Sequence, residues 1–316
     1  MTKILVTGIV SKDGLSKLFE NFDVTYADDA PFSREYVLEH LPEYDGLLLM
    51  GMPADKEIID AGQNLKVISI NGVGFDHVDI NYAKEKGITV SNSPQSVRVA
   101  TSELTFSLLI AAAKRLHFYD KVVREGDWID VSEERYQGMT LEGKTLGVYG
   151  MGRIGQTVAN YARAFGMKII YNDYRPLPED VEKQFDAKYV SFDELVEQAD
   201  VVTIHAPLLD STRGIFNKDV FAKMKSTAVL VNAARGPIVK EADLVEALKT
   251  GQIAGAGLDV FEFEPEVGAE LRSLDNVIMT PHAGTGTVDG RRIIAEEAAN
   301  NLIEFFNDNP VNVVNK

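Results

Sequence analysis

At 316 residues the chain exceeds the usual reach of one hydrophobic core, so two domains, and a cleft between them, are expected. Apolar residues make up 45% and charged residues 25%, with no low-complexity tract, so order is expected throughout. A formal net charge of −16 repels phosphate backbones and anionic lipid, which excludes nucleic acid and membrane surfaces as partners and requires a local positive site for any anionic substrate. The absence of cysteine excludes disulfides, thiolate metal sites and a cysteine nucleophile.

The opening MTKILVTGIV is broken by Gly8 and followed by Lys12 and Asp13, so it reads as a first strand and not as a leader. Helical stretches near Ser11 to Glu20 and Ser33 to His40 alternate with the apolar runs DVTYA, GLLLM and VISI. That alternation predicts β-α units and a parallel sheet. A strongly apolar helix follows, roughly Val99 to Arg115, and is expected to be buried between domains or against another subunit. Its longest apolar run, Leu104 to Ala113, falls well short of the ~20 residues that span a bilayer, and a cytoplasmic protein is expected. A second strand series comprises KTLGVYG, KIIYND, DVVTIHAP, TAVLVNAA, AGAGLDVF and NVIMTPH, which predicts six or more strands in a doubly wound sheet. The last segment, Gly290 to Asn307, is an amphipathic helix that can return to the first domain.

The sharpest motif is GMGRIG, residues 150 to 155, placed directly after a strand and opening a helix from about Arg153 to Phe165. Gly150 permits a tight turn, Gly152 lets the backbone approach a pyrophosphate, and Gly155 lets helix and strand pack closely. With Arg153 and Ile154 in the turn, this is the fingerprint of a dinucleotide site. Asp173 at the end of the next strand can accept from both ribose hydroxyls and disfavours a 2′-phosphate, so NAD is the expected cofactor, although Arg175 nearby softens that discrimination.

Ligands of open sheets collect at the carboxyl ends of the strands. The polar residues there are His205 beside Pro207, Asn232 and Arg235, Asp259 and Glu264, and His282. Reduction of a 2-oxo acid needs a cation for the carboxylate, a proton donor for the nascent alkoxide and a hydride donor, which arginine, histidine and nicotinamide can supply. An adjacent carboxylate holds a histidine charged and oriented, and Glu264 is a candidate. From the residues alone His205 and His282 are equally eligible as the acid. His40 at a helix end, His117 on the linking helix and His77, in a helical turn expected to be capped by Asp76, are weaker candidates. No close histidine pair or thiolate set suggests a metal.

Over essentially its whole length the chain resembles the D-isomer-specific 2-hydroxyacid dehydrogenases. The resemblance rests on NGVGFDHVD (71 to 79), SNSP (91 to 94), ATSEL (100 to 104), GMGRIG, HAPL (205 to 208), VNAARG (231 to 236), GLDVFEFEP (257 to 265) and TPHAG (280 to 284), in the family's order and spacing. It implies an α/β protein of two domains: a Rossmann doubly wound parallel sheet over 99–287, and a discontinuous, flavodoxin-like substrate domain built from 1–98 and 288–316. It assigns Arg235, Glu264 and His282 as the catalytic trio, and places the backbone amides of Val73 and Gly74 on the substrate carboxylate. His205, Pro207, Thr212, Ala233, Asp259, His282 and Gly284 then join the glycine-rich turn and Asp173 around NAD. A homodimer through the NAD-binding domain is implied as well.

Within the family, the loop after the third strand reads MGMPAD, residues 50 to 55, without the arginine that often holds a substrate phosphate, so phosphoglycerate is disfavoured. Met52 and Met50 suggest an apolar, adaptable wall, or equally a filled core gap. Glutamate at 264 disfavours formate. The motifs are most similar to the glyoxylate/hydroxypyruvate reductase and broad 2-oxoacid reductase branch. The competing function from another class is an NAD-binding sensor of the corepressor type, which binds cofactor with little turnover.

Overall fold

Short runs that are mostly apolar and buried at every position, without polar alternation, form the inner strands of two parallel sheets, as expected where helices cover both faces. In a computed structural model that describes residues 1–316, GLLL, VISI, VVTI, VLVN and GAGL are each buried at all four positions. The chain divides into two units, Met1–Ala100 with Thr285–Lys316, and Thr101–Gly284.

In the first unit, strands β1 (Lys3–Val6), β2 (Asp23–Tyr26), β3 (Gly46–Leu49), β4 (Val67–Ile70) and β5 (Thr89–Ser91) form a parallel sheet in the order β2-β1-β3-β4-β5. Helices α1 (Ser16–Asn21), α2 (Arg34–His40), α3 (Lys56–Ala61) and α4 (Ile80–Glu85) make the crossovers. Ser33, Asp55 and Asp79 cap the last three by accepting the N–H of Tyr36, Ile58 and Tyr82. The expected cap at Asp76 is therefore corrected: the helix starts later, under Asp79, and His77 lies in the turn before it.

In the second unit, α5 (Arg98–Ala113), which enters from the first, and α6 (Leu116–Arg124) precede strands β6 (Thr145–Tyr149), β7 (Lys168–Asn172), β8 (Ala187–Tyr189), β9 (Val201–Ile204), β10 (Val229–Asn232), β11 (Gly255–Leu258) and β12 (Val277–Met279). Their order is β12-β11-β10-β9-β6-β7-β8, all parallel. Helices α7 (Arg153–Ala164), α8 (Glu179–Phe185), α9 (Phe192–Gln198), α10 (Lys218–Phe221), α11 (Glu241–Lys249) and α12 (Ala269–Arg272) lie between them. The apolar α5 departs from expectation. Phe106, Leu108, Leu109, Ala112 and Ala113 pack with Leu146, Val148, Val229 and Val231 in the core of this unit, and Gly257 admits Leu108 so closely that a Cβ there would stand 3.1 Å from it. The helix is apolar because it covers its own unit's sheet.

The chain then returns as α13 (Val288–Phe306) to the first sheet. Ala295, Ala298, Ala299 and Leu302 close a core with Ile4, Val6, Leu48 and Val67, and Ser69 Oγ donates to the Ala298 carbonyl at 2.8 Å. No helix is long and apolar enough to cross a membrane.

Candidate active site

The polar residues singled out in the second unit all follow the carboxyl ends of strands in one sheet: residues 150 to 155 after β6, Asp173 after β7, His205 after β9, Arg235 after β10, Asp259 and Glu264 after β11, and His282 after β12. The sheet order reverses between β6 and β9, and the glycine-rich turn sits at that switch point.

Each glycine of the turn answers to a different steric demand. Gly150 has φ +96°, and a Cβ there would stand 2.5 Å from the Ala206 nitrogen. At Gly155 it would stand 2.3 Å from the Gly150 carbonyl oxygen, which fixes how tightly α7 lies on β6. At Gly152 a Cβ would meet nothing within 4 Å, so this glycine leaves an open face on the turn, as a pyrophosphate at a helix N-terminus requires. Asp173 holds the turn: Oδ2 accepts the Met151 N–H at 2.7 Å and Oδ1 the Tyr174 N–H at 2.7 Å. These residues fit a dinucleotide.

On the other side of the switch point, His282 Nδ1 lies 2.8 Å from Glu264 Oε2, and Glu264 Oε1 accepts the Phe261 N–H at 2.9 Å. The hydrogen bond that His282 donates to Glu264 raises the His282 pKa; burial and the Arg235 charge oppose it and lose. Burial pushes Glu264 up, but the hydrogen bond to His282, the Phe261 amide and the nearby charges of His282 and Arg235 together bring it below its ordinary value. His282 adopts a left-handed backbone, φ +51°, a conformation that costs a non-glycine residue on the order of 1–3 kcal/mol. Its N–H donates to the Asp259 carbonyl at 2.8 Å and the Thr280 carbonyl at 3.0 Å, which hold it there.

Asp259 is the brace beneath. Its Oδ1 accepts the Thr280 hydroxyl at 2.6 Å and the Ala283 N–H at 2.7 Å, and burial raises its pKa against these donors. A Cβ on Gly284 would stand 3.4 Å from the other Asp259 oxygen. Arg235 is presented by a loop that Asn232 ties, through Nδ2 to the Arg235 carbonyl at 3.0 Å and Oδ1 from the Ala234 N–H at 3.1 Å. Arg235 Nη1 donates to the Ala234 carbonyl at 2.8 Å, and Ala233 is half-buried in the same loop.

The two histidines left open by the sequence have different surroundings. His205 meets Thr203 Oγ1 at 2.9 Å, has no carboxylate partner, and desolvation pulls its pKa down to about 3, so the ring is neutral at physiological pH. Thr212, beside it in the chain, receives the Leu209 N–H at 2.8 Å and donates to the Pro207 carbonyl at 2.7 Å. Thr280 and Thr203 escaped the sequence reading, since a threonine near a strand end carries no signal until its partner is known. His40 and His117 bond to backbone carbonyls of Tyr36 and Asp275, each at 3.0 Å.

Val73 and Gly74 belong to the first unit, in the bend after β4. Asn92 Nδ2 donates to the Val73 carbonyl at 2.7 Å and Ser93 N–H to the Gly72 carbonyl at 2.8 Å, which fixes the bend. Met52 is partly buried against the first unit's core, whereas Met50 lines a crevice. No cluster of three or more histidine, aspartate or glutamate side chains is arranged to hold a metal ion.

Residues 106–284 match the family described as D-isomer specific 2-hydroxyacid dehydrogenase, NAD binding domain. A glyoxylate reductase of Thermococcus onnurineus is 40% identical over 99% of this chain and 96% of its own. Among solved structures, a glyoxylate reductase from Paecilomyes thermophila superposes with a TM-score of 0.89 at 35% identity, covering 99% of this chain and 98% of its own. The D-mandelate dehydrogenase of Rhodotorula graminis gives 0.89 at 27% identity over 100% and 98% of the two chains. The chain belongs to the D-isomer-specific 2-hydroxyacid dehydrogenases. It is an NAD-dependent oxidoreductase acting on CH–OH groups.

Proposed function

We propose that the chain reduces small 2-oxo acids, glyoxylate and hydroxypyruvate or their apolar homologues, to D-2-hydroxy acids, with NAD(H) preferred over NADP(H). The observation that carries this reading is the His282–Glu264 pair: with Nδ1 engaged at 2.8 Å by a carboxylate, Nε2 is the nitrogen left to serve a substrate oxygen. Bound NADH supplies the hydride to the α-carbon. As the carbonyl π pair moves onto oxygen, the proton on His282 Nε2 passes to that oxygen, and the imidazole is left neutral until solvent recharges it. Glu264 fixes the ring and favours its charged form. In the second unit Arg235 neutralises a substrate carboxylate and polarises the carbonyl; in the first, the Val73 and Gly74 amides are donors suited to a carboxylate. In the acidic field of this chain such local donors are what retain an anion.

Asp173 supports NAD over NADP, because its charge opposes a 2′-phosphate. A homodimer is supported by apolar side chains left exposed on α6 and the loop after it, Val123 at 60%, Trp128 at 91% and Val131 at 58%. Sedimentation of the protein and of Trp128→Glu tests this; a monomer at micromolar wild-type concentration would overturn it.

The test of the activity is NADH oxidation, followed at its absorption band, with glyoxylate, hydroxypyruvate, pyruvate, 2-oxoisocaproate and phenylpyruvate, repeated with NADPH. Turnover of the short acids with NADH is the expected result. NADH binding without turnover of any 2-oxo acid would overturn the reading and favour a sensor.

A further inference from the structure

Arg291 stands in the first turn of α13, half-buried, with no ion-pair partner. Its only contacts to acceptors are to uncharged atoms: Nη2 to the Ile9 carbonyl at 3.5 Å and to Met50 Sδ at 3.4 Å. Its neighbour Arg292 shows the ordinary alternative, an exposed i,i+4 pair with Glu296. A guanidinium taken partly out of water without a carboxylate is a cost to the fold, and burial lowers its pKa with no opposing charge nearby.

The guanidinium faces a crevice of about 500 Å³ lined by residues 8 to 11, Pro31, Met50, Gly51 and Arg291 itself. Residues 8 to 11 follow β1 and residues 50 and 51 follow β3. In the order β2-β1-β3-β4-β5 these two strands flank the point where the sheet reverses direction, which is where open α/β sheets bind ligands. Met50 Sδ also receives Asn71 Nδ2 at 2.9 Å, while Asn71 Oδ1 is buried without a partner. Asn71 immediately precedes the bend that carries Val73 and Gly74. The crevice therefore adjoins that bend, with Met50 between, and ends on a cation.

We propose that this crevice is a second anion subsite, in which Arg291 receives the far carboxylate of an extended 2-oxo acid whose first carboxylate lies on Val73 and Gly74. The inference rests on the proposed 2-oxo acid reduction and deepens it: the substrates include 2-oxo dicarboxylic acids. A single guanidinium with aliphatic walls matches a planar monoanion through two parallel N–H donors. A phosphate ester brings a second charge and a third oxygen, for which the crevice offers no second cation.

The test compares 2-oxoglutarate with 2-oxopentanoate, which has the same chain without the far carboxylate, in wild type and Arg291→Met, with glyoxylate as the reference. Wild type is expected to favour 2-oxoglutarate in kcat/KM, and the variant to lose about ten- to a hundredfold on that substrate through KM. Glyoxylate turnover and Tm should hold, because the arginine has no ionic partner to lose. A wild-type preference for 2-oxopentanoate, an unchanged ratio in the variant, or an equal loss on glyoxylate would overturn the subsite. Better use of 3-phosphonooxypyruvate than of 2-oxoglutarate would overturn the carboxylate in favour of a phosphate.

If Arg291→Met does not fold, inhibition of wild-type glyoxylate reduction by glutarate and by pentanoate decides the matter, glutarate being expected to inhibit more strongly and equal inhibition counting against the subsite. Should wild type reduce no 2-oxo acid, the reaction class fails. Calorimetric titration of 2-oxoglutarate and 2-oxopentanoate into wild type and Arg291→Met then reports on the subsite separately, equal heats for the two acids overturning it.

Discussion

His282 Nδ1 and Glu264 Oε2 lie 2.8 Å apart, and the second oxygen of the same carboxylate is held by the Phe261 amide. The imidazole pKa is raised above 6.5 chiefly by the Glu264 hydrogen bond, and that of the carboxyl brought below 4.5 by its donors against burial. The contribution of His282 to stability is complete below its unfolded value and fades as pH rises through the raised one. That of Glu264 is complete above its unfolded value and fades as pH falls through the lowered one. The charged pair is thus strongest between about 4.5 and 6.5. With side chains 51% and 33% exposed, its worth to the fold is small, and its effect shows in the reaction instead.

The first prediction concerns pH. Reduction needs charged His282, so kcat/KM for a 2-oxo acid should fall as pH rises through the raised imidazole value, while oxidation of the hydroxy acid should rise over the same interval. Glu264→Gln should move both limbs to lower pH. A profile for the variant that coincides with wild type would remove Glu264 from the role of partner.

His282→Ala should reduce turnover by about 10²–10⁴-fold, the usual share of a positioned acid, while NADH still binds. Steady-state rates and a fluorescence titration of NADH separate the two effects. Near-normal rates would return His205 to candidacy.

Arg235→Met should act on productive binding of the 2-oxo acid, lowering kcat/KM by at least about tenfold, the least that loss of a charge-assisted hydrogen bond entails. NADH titration should be unchanged. Unaltered kinetics would exclude Arg235 from the site.

The glycine turn gives a paired test. Gly155→Ala places a Cβ 2.3 Å from a backbone oxygen and should cost on the order of 1–3 kcal/mol of stability, read as a lower Tm. Gly152→Ala meets no protein atom and should leave Tm within the small effect of a changed helix cap, yet weaken NADH binding. Equal Tm losses in the two variants would show that the open face at Gly152 is structural.

The strands buried at four consecutive positions were legible because burial on both faces leaves a short, mostly apolar run. β5 and β8 escaped notice: each has three residues, and β8 (Ala187–Tyr189) is largely exposed, so neither shows such a run. The apolarity of α5 was plain but its partner was not, since an apolar face does not say which surface it covers. The glycine turn, Asp173 and the strand-end acids and bases stood out because the chemistry restricts their types and spacing. Arg291 did not. Beside Arg292 at the start of an amphipathic helix it reads as solvent-facing, and only the convergence of the ends of β1 and β3 marks it out.

The return of α13 to the first sheet has a consequence for biosynthesis. Ala295, Ala298, Ala299 and Leu302 complete the layer over Ile4, Val6, Leu48 and Val67, so strands that precede the nucleotide unit in synthesis wait for a helix that follows it. The nucleotide unit, continuous from Thr101 to Gly284, has its whole core before then. The nucleotide unit can therefore close before the first unit, and the face of the first sheet that α13 covers is the surface expected to stay open to chaperones and proteases in the interval.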